Sequence, residues 1–447
     1  MHVTKEVADY VVGSRYEDIP DDVRSEALRA IVNIVGCAVG GAREPAADIA
    51  IQTFRPFFGP ATASIVGRAD KADPLHAALI NGITSHVHDY DDTLPKNYIH
   101  ASSPVASALL AYASVNPVSG RDFVHAFILG FEITSRVGNA TYPAHYEAGW
   151  HSTGSCGVFG AAVAIGKLLG LNSSQMVHAI GLAATQAAGI REMFGSMAKS
   201  LHPGRAAQNG YGAALLASNG FTSGIYGLEG PRGFASVLSS KYDLSKLTAG
   251  LGEDFDLREN TYKPFPCGIV NHPSIDAAIQ LKQEHGLTAD MIKRVRIRVA
   301  PLVMDLCAKR NITKGLEGKF SVVHGTAVGL VRGKAGLGEY TDEAVNDPDI
   351  KRVRESVNPE ADSTVTEDGV KMEVELVDGR VVSKVLEHSI GNLARPMTNA
   401  QLDEKFRDQV GMVLPRNQTE ALLERCWKAT ELENVGEELV AISIPGA

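Results

Sequence analysis

Nine consecutive residues, Ser85 to Thr93 (SHVHDYDDT), hold two histidines, three aspartates and a threonine. Side chains of these types could bind a metal ion, decorate a solvated turn, or move protons as an acid/base cluster. The preceding DPLHAALINGITSHVHD spaces Leu75, Leu79 and Ile83 four apart, as on one helix face. If the helix runs on through His86 and His88, those two side chains diverge by roughly 200° and cannot share one ion. A His-x-His metal pair needs a strand, where alternate residues share a face. A metal-dependent hydrolase built on His86 and His88 is therefore the weaker reading. For acid/base work, a carboxylate beside histidines and a hydroxyl can take a proton from carbon and deliver one to a leaving oxygen. Burial must first tune the pKa values toward neutrality.

Three further stretches carry related chemistry. In AGWHSTGSCGVFG, His151 and three small polar residues precede an apolar helix, whose free N–H groups favour an anion; His151 as a plain helix cap fits equally well. In MAKSLHPGRAA, Lys199, His202 and Arg205 recur every three residues and could gather donors for a carboxylate, or form a solvated basic face. In YKPFPCGIVNHP, prolines bracket Cys267 and His272 at a change of sequence pattern, and clefts between domains are favoured ligand sites. No histidine stands out as a base for Cys267, so a nucleophilic role is disfavoured.

The elements that must position these groups are mainly helical. Pro20 and two aspartates start a helix whose Val23, Ala27, Ile31, Ile34 and Val35 share a face, and Gly40 and Gly41 end it. The same period recurs over Asp122–Val137 and Asn172–Gly189, the latter with Asn172 and Gln175 at capping-box spacing. Glycine and alanine stand where leucine would be usual, which implies close helix packing. Past LGEDFDLRENTYKPFPCG the period becomes two. Val295, Ile297 and Val299 alternate with arginines, and Val370 to Leu376 leads through Asp378-Gly379 into a second strand. Thr398, with Gln401 three residues on, caps a returning helix. The expected architecture is mainly α: a large all-helical domain from residues 1–258 and 392–447, with an α+β domain at 259–391.

Composition narrows the function. A net charge of −9 with no basic run argues against nucleic acid. The five dispersed cysteines include no Cys-x-x-Cys pair and fit a reducing compartment. The acidic N-terminus lacks the apolar core of a signal peptide, and Gly157–Leu171, interrupted by Lys167, is too short to span a bilayer. A cytoplasmic protein with no membrane or nucleic-acid partner is expected.

Taken together, HVHDYDDT, AGWHSTGSCGVFGAA, AKSLHPGRAA, KPFPC with NHP, KFS at Lys319–Ser321, and PMT with LDEKF near the C-terminus resemble the MmgE/PrpD family across essentially the whole chain. Several motifs in one order are far more specific than any alone. The resemblance implies a helical domain built from both chain ends, an α+β lid, a homodimer, and catalysis without metal or organic cofactor. The family includes 2-methylcitrate dehydratases, cis-aconitate decarboxylases and iminodisuccinate epimerases. Carried over by position, Asp89, His100, His151 and Lys199 are the implied catalytic residues. Thr93 and His272 join His202 and Arg205 as substrate-binding candidates. Two departures, His324 where decarboxylases carry tyrosine and a longer Thr93–His100 spacing, argue against cis-aconitate decarboxylation, and the longer spacing looks more like the epimerase-type members; dehydration of a 2-methylcitrate- or citrate-like acid is the preferred reading. Epimerisation, decarboxylation and a catalytically silent metabolite-binding dimer are the alternatives. The substrate class in every case is a di- or tricarboxylate.

Overall fold

Proline has no amide hydrogen to give a preceding turn, and acidic side chains favour the positive end of a helix, so Pro20 followed by Asp21 and Asp22 starts one. In the computed structural model, which describes residues 2–446, that helix is α1, Asp21–Gly40. Its five expected face residues are all buried, but from Ala30 onward every residue is buried, because helices surround its second half. The helices that bear the chemistry follow: α2 (Pro74–His86), α3 (Ser102–Ala113), α4 (Gly120–Thr141), α5 (Ser152–Leu168), α6 (Ser173–Ala184) and α7 (Ala198–Ser218). The Asn172/Gln175 capping box is present at the start of α6.

Small residues set how closely these helices approach. A Cβ added at Gly82 of α2 would lie 2.5 Å from the Cα of Gly204 on α7. Only glycine lets the backbones cross there, and the crossing brings the C-terminal end of α2 beside the first turn of α7.

After residue 265 a second hydrophobic core forms around α8 (His272–His285), α9 (Val322–Arg332) and a four-stranded sheet. The strands β1 (Ile292–Val299), β2 (Val357–Ala361), β3 (Val370–Leu376) and β4 (Val381–Leu386) lie in the order β2-β1-β3-β4, with only β1/β2 parallel. Along β1, Val295, Ile297 and Val299 are buried and the arginines between them are exposed, as period two requires. Gly379 takes φ +88° in the β3–β4 turn. Helices α10 (Asn399–Val410) and α11 (Arg416–Trp427) then pack into the first core, with Phe406 against Gly36 of α1. The fold is mainly α.

Candidate active site

Helix α2 ends at His86, and Asp89, in the turn that follows, adopts φ +52°. A left-handed non-glycine residue is uncommon and costs free energy; aspartate tolerates it better than most. Its carboxylate is turned between two lysines: Oδ1 accepts from Lys199 Nζ and from Lys263 Nζ, each at 2.7 Å. Lys263 also donates to the backbone carbonyls of Asp89 and Cys267, both at 3.1 Å. The second oxygen, Oδ2, is buried without a partner among the described residues. Burial alone would raise this carboxyl, but the two ammonium groups outweigh it and hold it well below 3.8.

Imidazoles line the same place. His86 Nδ1 lies 2.8 Å from Asp91 Oδ2, and His100 Nδ1 lies 3.4 Å from the same carboxylate oxygen and 3.3 Å from the Thr93 hydroxyl. His100 Nε2 is 3.9 Å from Asp89 Oδ1. His151 precedes α5 without capping it through its side chain, which instead pairs Nδ1 to Nδ1 with His202 at 2.8 Å. Burial pushes His100 and His151 well below 6.5, and the neighbouring Lys263 and Lys199 respectively reinforce the shift. Both rings are therefore neutral near pH 7. Asp89, Thr93, His100, His151, Lys199 and Lys263 all open onto one cleft. The Lys199 ammonium also sits 5.2 Å and 5.3 Å from the ring centres of Phe194 and Phe320.

Two further buried lysines stitch the walls together. Lys319 donates to the carbonyls of His88 (2.6 Å) and Pro266 (2.9 Å). Lys405, on α10, donates to Asn33 Oδ1 and the carbonyl of Tyr90 (both 2.7 Å) and to the carbonyl of Lys263 (2.9 Å). Burial lowers each to about 8. Residues 88–90 and 263–267 are thus tied at three points by the ammonium groups of Lys263, Lys319 and Lys405.

Not every sequence candidate reaches the cleft. Arg205 is exposed, bonded to Gln208 and stacked on Phe54. Six residues at about 100° each turn it some 120° from Lys199. His202 acts only through His151. His272 is buried beside Phe265 and lines an adjoining cavity of about 560 Å³ that shares Tyr98, Ile269 and Val270 with the cleft. His324, used above to disfavour decarboxylation, is buried in the second core with Nε2 bonded to the Glu339 carbonyl at 2.9 Å, so it says nothing about the cleft. Cys267 is fully buried and its thiol is pushed up to about 11, unlike a nucleophile. His88 turns away to Glu44 at 2.9 Å. Sequence reasoning gave no catalytic role to Lys263, Lys319, Lys405, Asp91 or His86, the last weighed only as a metal ligand. All five stood inside quoted motifs, but nothing local distinguishes a buried lysine from a solvated one.

The sequence matches the MmgE/PrpD N-terminal domain over residues 5–247 and the MmgE/PrpD C-terminal domain over residues 265–429. Among curated relatives, the cis-aconitate decarboxylase of Aspergillus terreus is 27% identical, with 99% of this chain and 96% of the relative aligned. Human cis-aconitate decarboxylase is 25% identical over 97% and 92%, and the 2-methylcitrate dehydratase of Salmonella typhimurium 23% identical over 96% and 94%. With both domains matched in order along nearly its whole length, the chain belongs to the MmgE/PrpD family.

Proposed function

We propose that this protein is a lyase acting on a di- or tricarboxylic acid, needing no metal or organic cofactor, whose first step makes a carbanion alpha to a carboxylate. One observation carries the reading: two buried ammonium groups sharing Asp89 face the same cleft as the neutral imidazoles of His100 and His151. A carbon acid of this kind ionises only when fixed cations meet the charge that develops on its carboxylate, and a neutral imidazole is the base available at pH 7.

In dehydration, the preferred reaction, His151 or His100 takes the alpha proton while Lys199 and Lys263 hold the substrate carboxylates. The C–O bond then breaks as the Lys199 ammonium, whose pKa burial has lowered and which is therefore a stronger acid than an exposed lysine, gives its proton to the leaving hydroxyl. A C=C bond forms, water departs, and transfer of the proton from imidazolium back to the amine resets the site. Thr93 orients a carboxylate, and Asp89 keeps the two lysines in register. A citrate- or 2-methylcitrate-like acid satisfies these contacts.

Decarboxylation is the second reading, favoured by the higher identity to the cis-aconitate decarboxylases than to the dehydratase. There carbon dioxide leaves its electron pair on carbon, and the Lys199 ammonium supplies the proton, which the amine then takes back from solvent. Reprotonation of the same carbanion on the opposite face would be epimerisation. We also propose a homodimer, testable by sedimentation velocity.

The deciding experiment is proton NMR of the enzyme with citrate, 2-methylcitrate, cis-aconitate and four-carbon dicarboxylates, in EDTA and heavy water. Loss of water, release of carbon dioxide, or deuterium exchange without net change identifies the reaction. Absence of turnover and of exchange with every acid rejects the lyase and leaves a silent binding protein.

A further inference from the structure

The imidazole of His86, packed against those of His100 and His151, has no part in the mechanism above. His86 is wholly buried, its Nδ1 is committed to Asp91, and its Nε2 has no partner among the described residues. One ring nitrogen of His86 lies within 4.8 Å of one from His100 and one from His151, and those two lie equally close to each other. Three imidazoles at that separation, one anchored from behind by a carboxylate, form the carboxylate–histidine–metal arrangement that fixes ring orientation and exposes a lone pair.

We propose that His86, His100 and His151 form a binding site for a transition-metal dication of the zinc class, occupied at the expense of catalysis. An all-imidazole donor set suits Zn²⁺, Co²⁺, Ni²⁺ or Cu²⁺ and not the oxygen-seeking Mg²⁺ or Ca²⁺. His100 and His151 line the same cleft as Asp89, whose Oδ2 also lacks a partner among the described residues. Lys199 and Lys263 repel a dication and the carboxylates of Asp89 and Asp91 attract it, so the site is weaker than a structural zinc centre. Binding takes the lone pairs of His100 and His151. Inhibition, as distinct from binding, rests on the lyase reading.

Citrate-like acids chelate metals themselves, so the test separates binding from turnover. Full-length protein freed of metal by EDTA and dialysis is titrated with Co²⁺, without substrate, and followed by its visible ligand-field absorption. The expected result is one equivalent bound per chain with an intense four-coordinate spectrum, displaced by Zn²⁺. His86→Gln should weaken Co²⁺ binding at least tenfold. Asp91→Asn, which keeps all three ligands, should weaken it roughly tenfold or more. Circular dichroism and melting confirm that each variant folds. No stoichiometric spectrum with the wild-type chain, or unchanged binding in both folded variants, overturns the site. Metal-free enzyme should turn over its substrate and lose activity when Zn²⁺ is added in excess of the acid. Stoichiometric Co²⁺ binding in a protein that turns over no acid would sink the lyase while leaving the metal site standing.

Discussion

Asp89→Asn tests whether the carboxylate is the keystone of a buried cationic pair. Lys199 and Lys263 nitrogens each lie 2.7 Å from the same oxygen, so they are separated by no more than twice that distance. At an effective dielectric of about 20, two like charges about 5 Å apart repel by about 3 kcal/mol. Breaking a buried pair by removing one partner costs about 3–5 kcal/mol on general grounds. The amide oxygen of asparagine still accepts a hydrogen bond, which places the expected loss at the lower end, about 3 kcal/mol. With unfolding entropy of about 2.1 cal/mol/K per residue, a chain of this length melting as one unit shifts by about 1 °C per kcal/mol, so Tm should fall by about 3 °C. The sign with pH follows from the depressed folded pKa: the stabilisation from Asp89 is complete above 3.8 and is lost only as pH falls through the lower folded value. The Tm difference should therefore be flat from pH 7 to pH 5. Turnover should drop at least a hundredfold, while a tricarboxylate should raise Tm more in the variant than in the wild type, because one negative charge has left the cleft. Adding Lys263→Met should recover part of the lost stability. Differential scanning fluorimetry and NMR turnover measure all of this. A variant melting at or above the wild type at pH 7 would refute the reasoning, since it would mean the two lysines are not charged together.

Other expectations follow from the same geometry. Lys319→Met and Lys405→Met each leave two or three buried acceptors without a donor, so kcat should fall tenfold or more, with Lys→Arg restoring little because the guanidinium does not fit; steady-state kinetics with circular dichroism checks this. Activity should decline on the acid side only well below pH 6.5, as His100 and His151 take protons, and again above about pH 8 as Lys319 and Lys405 lose theirs. Because their folded values lie below 10.5, the unfolded chain binds more protons between pH 8 and 10.5, so their contribution to stability rises across that window and the alkaline loss of rate should not follow the melting curve. Asp92 is fully buried with its carboxyl raised to about 6, so its contribution to stability falls as pH climbs from about 4 to 6, by about 3 kcal/mol. Asp92→Asn should remove that slope in pH-dependent urea denaturation. Arg205→Ala should leave kcat within twofold, in contrast to Lys199→Ala.

What the sequence determined by itself is local. Proline and aspartates start α1, the Asn172/Gln175 and Thr398/Gln401 pairs cap their helices, and alternating valines and arginines make β1, because these signals act within one or two turns of chain. Asp89, Thr93, His100, His151 and Lys199 were legible as candidates because motifs in a fixed order marked them, and they open onto one cleft. What only the tertiary structure decided is which charged groups lose water together. Lys263 is 174 residues from Asp89, and Lys405 is 142 from the Lys263 carbonyl it holds. Arg205, on the same helix as Lys199, points to solvent. A lysine's pKa and role depend on the partners and burial that folding gives it, and although small residues announced close helix packing, that α2 meets α7 at the Gly82–Gly204 crossing is a matter of space between helices that no local pattern encodes.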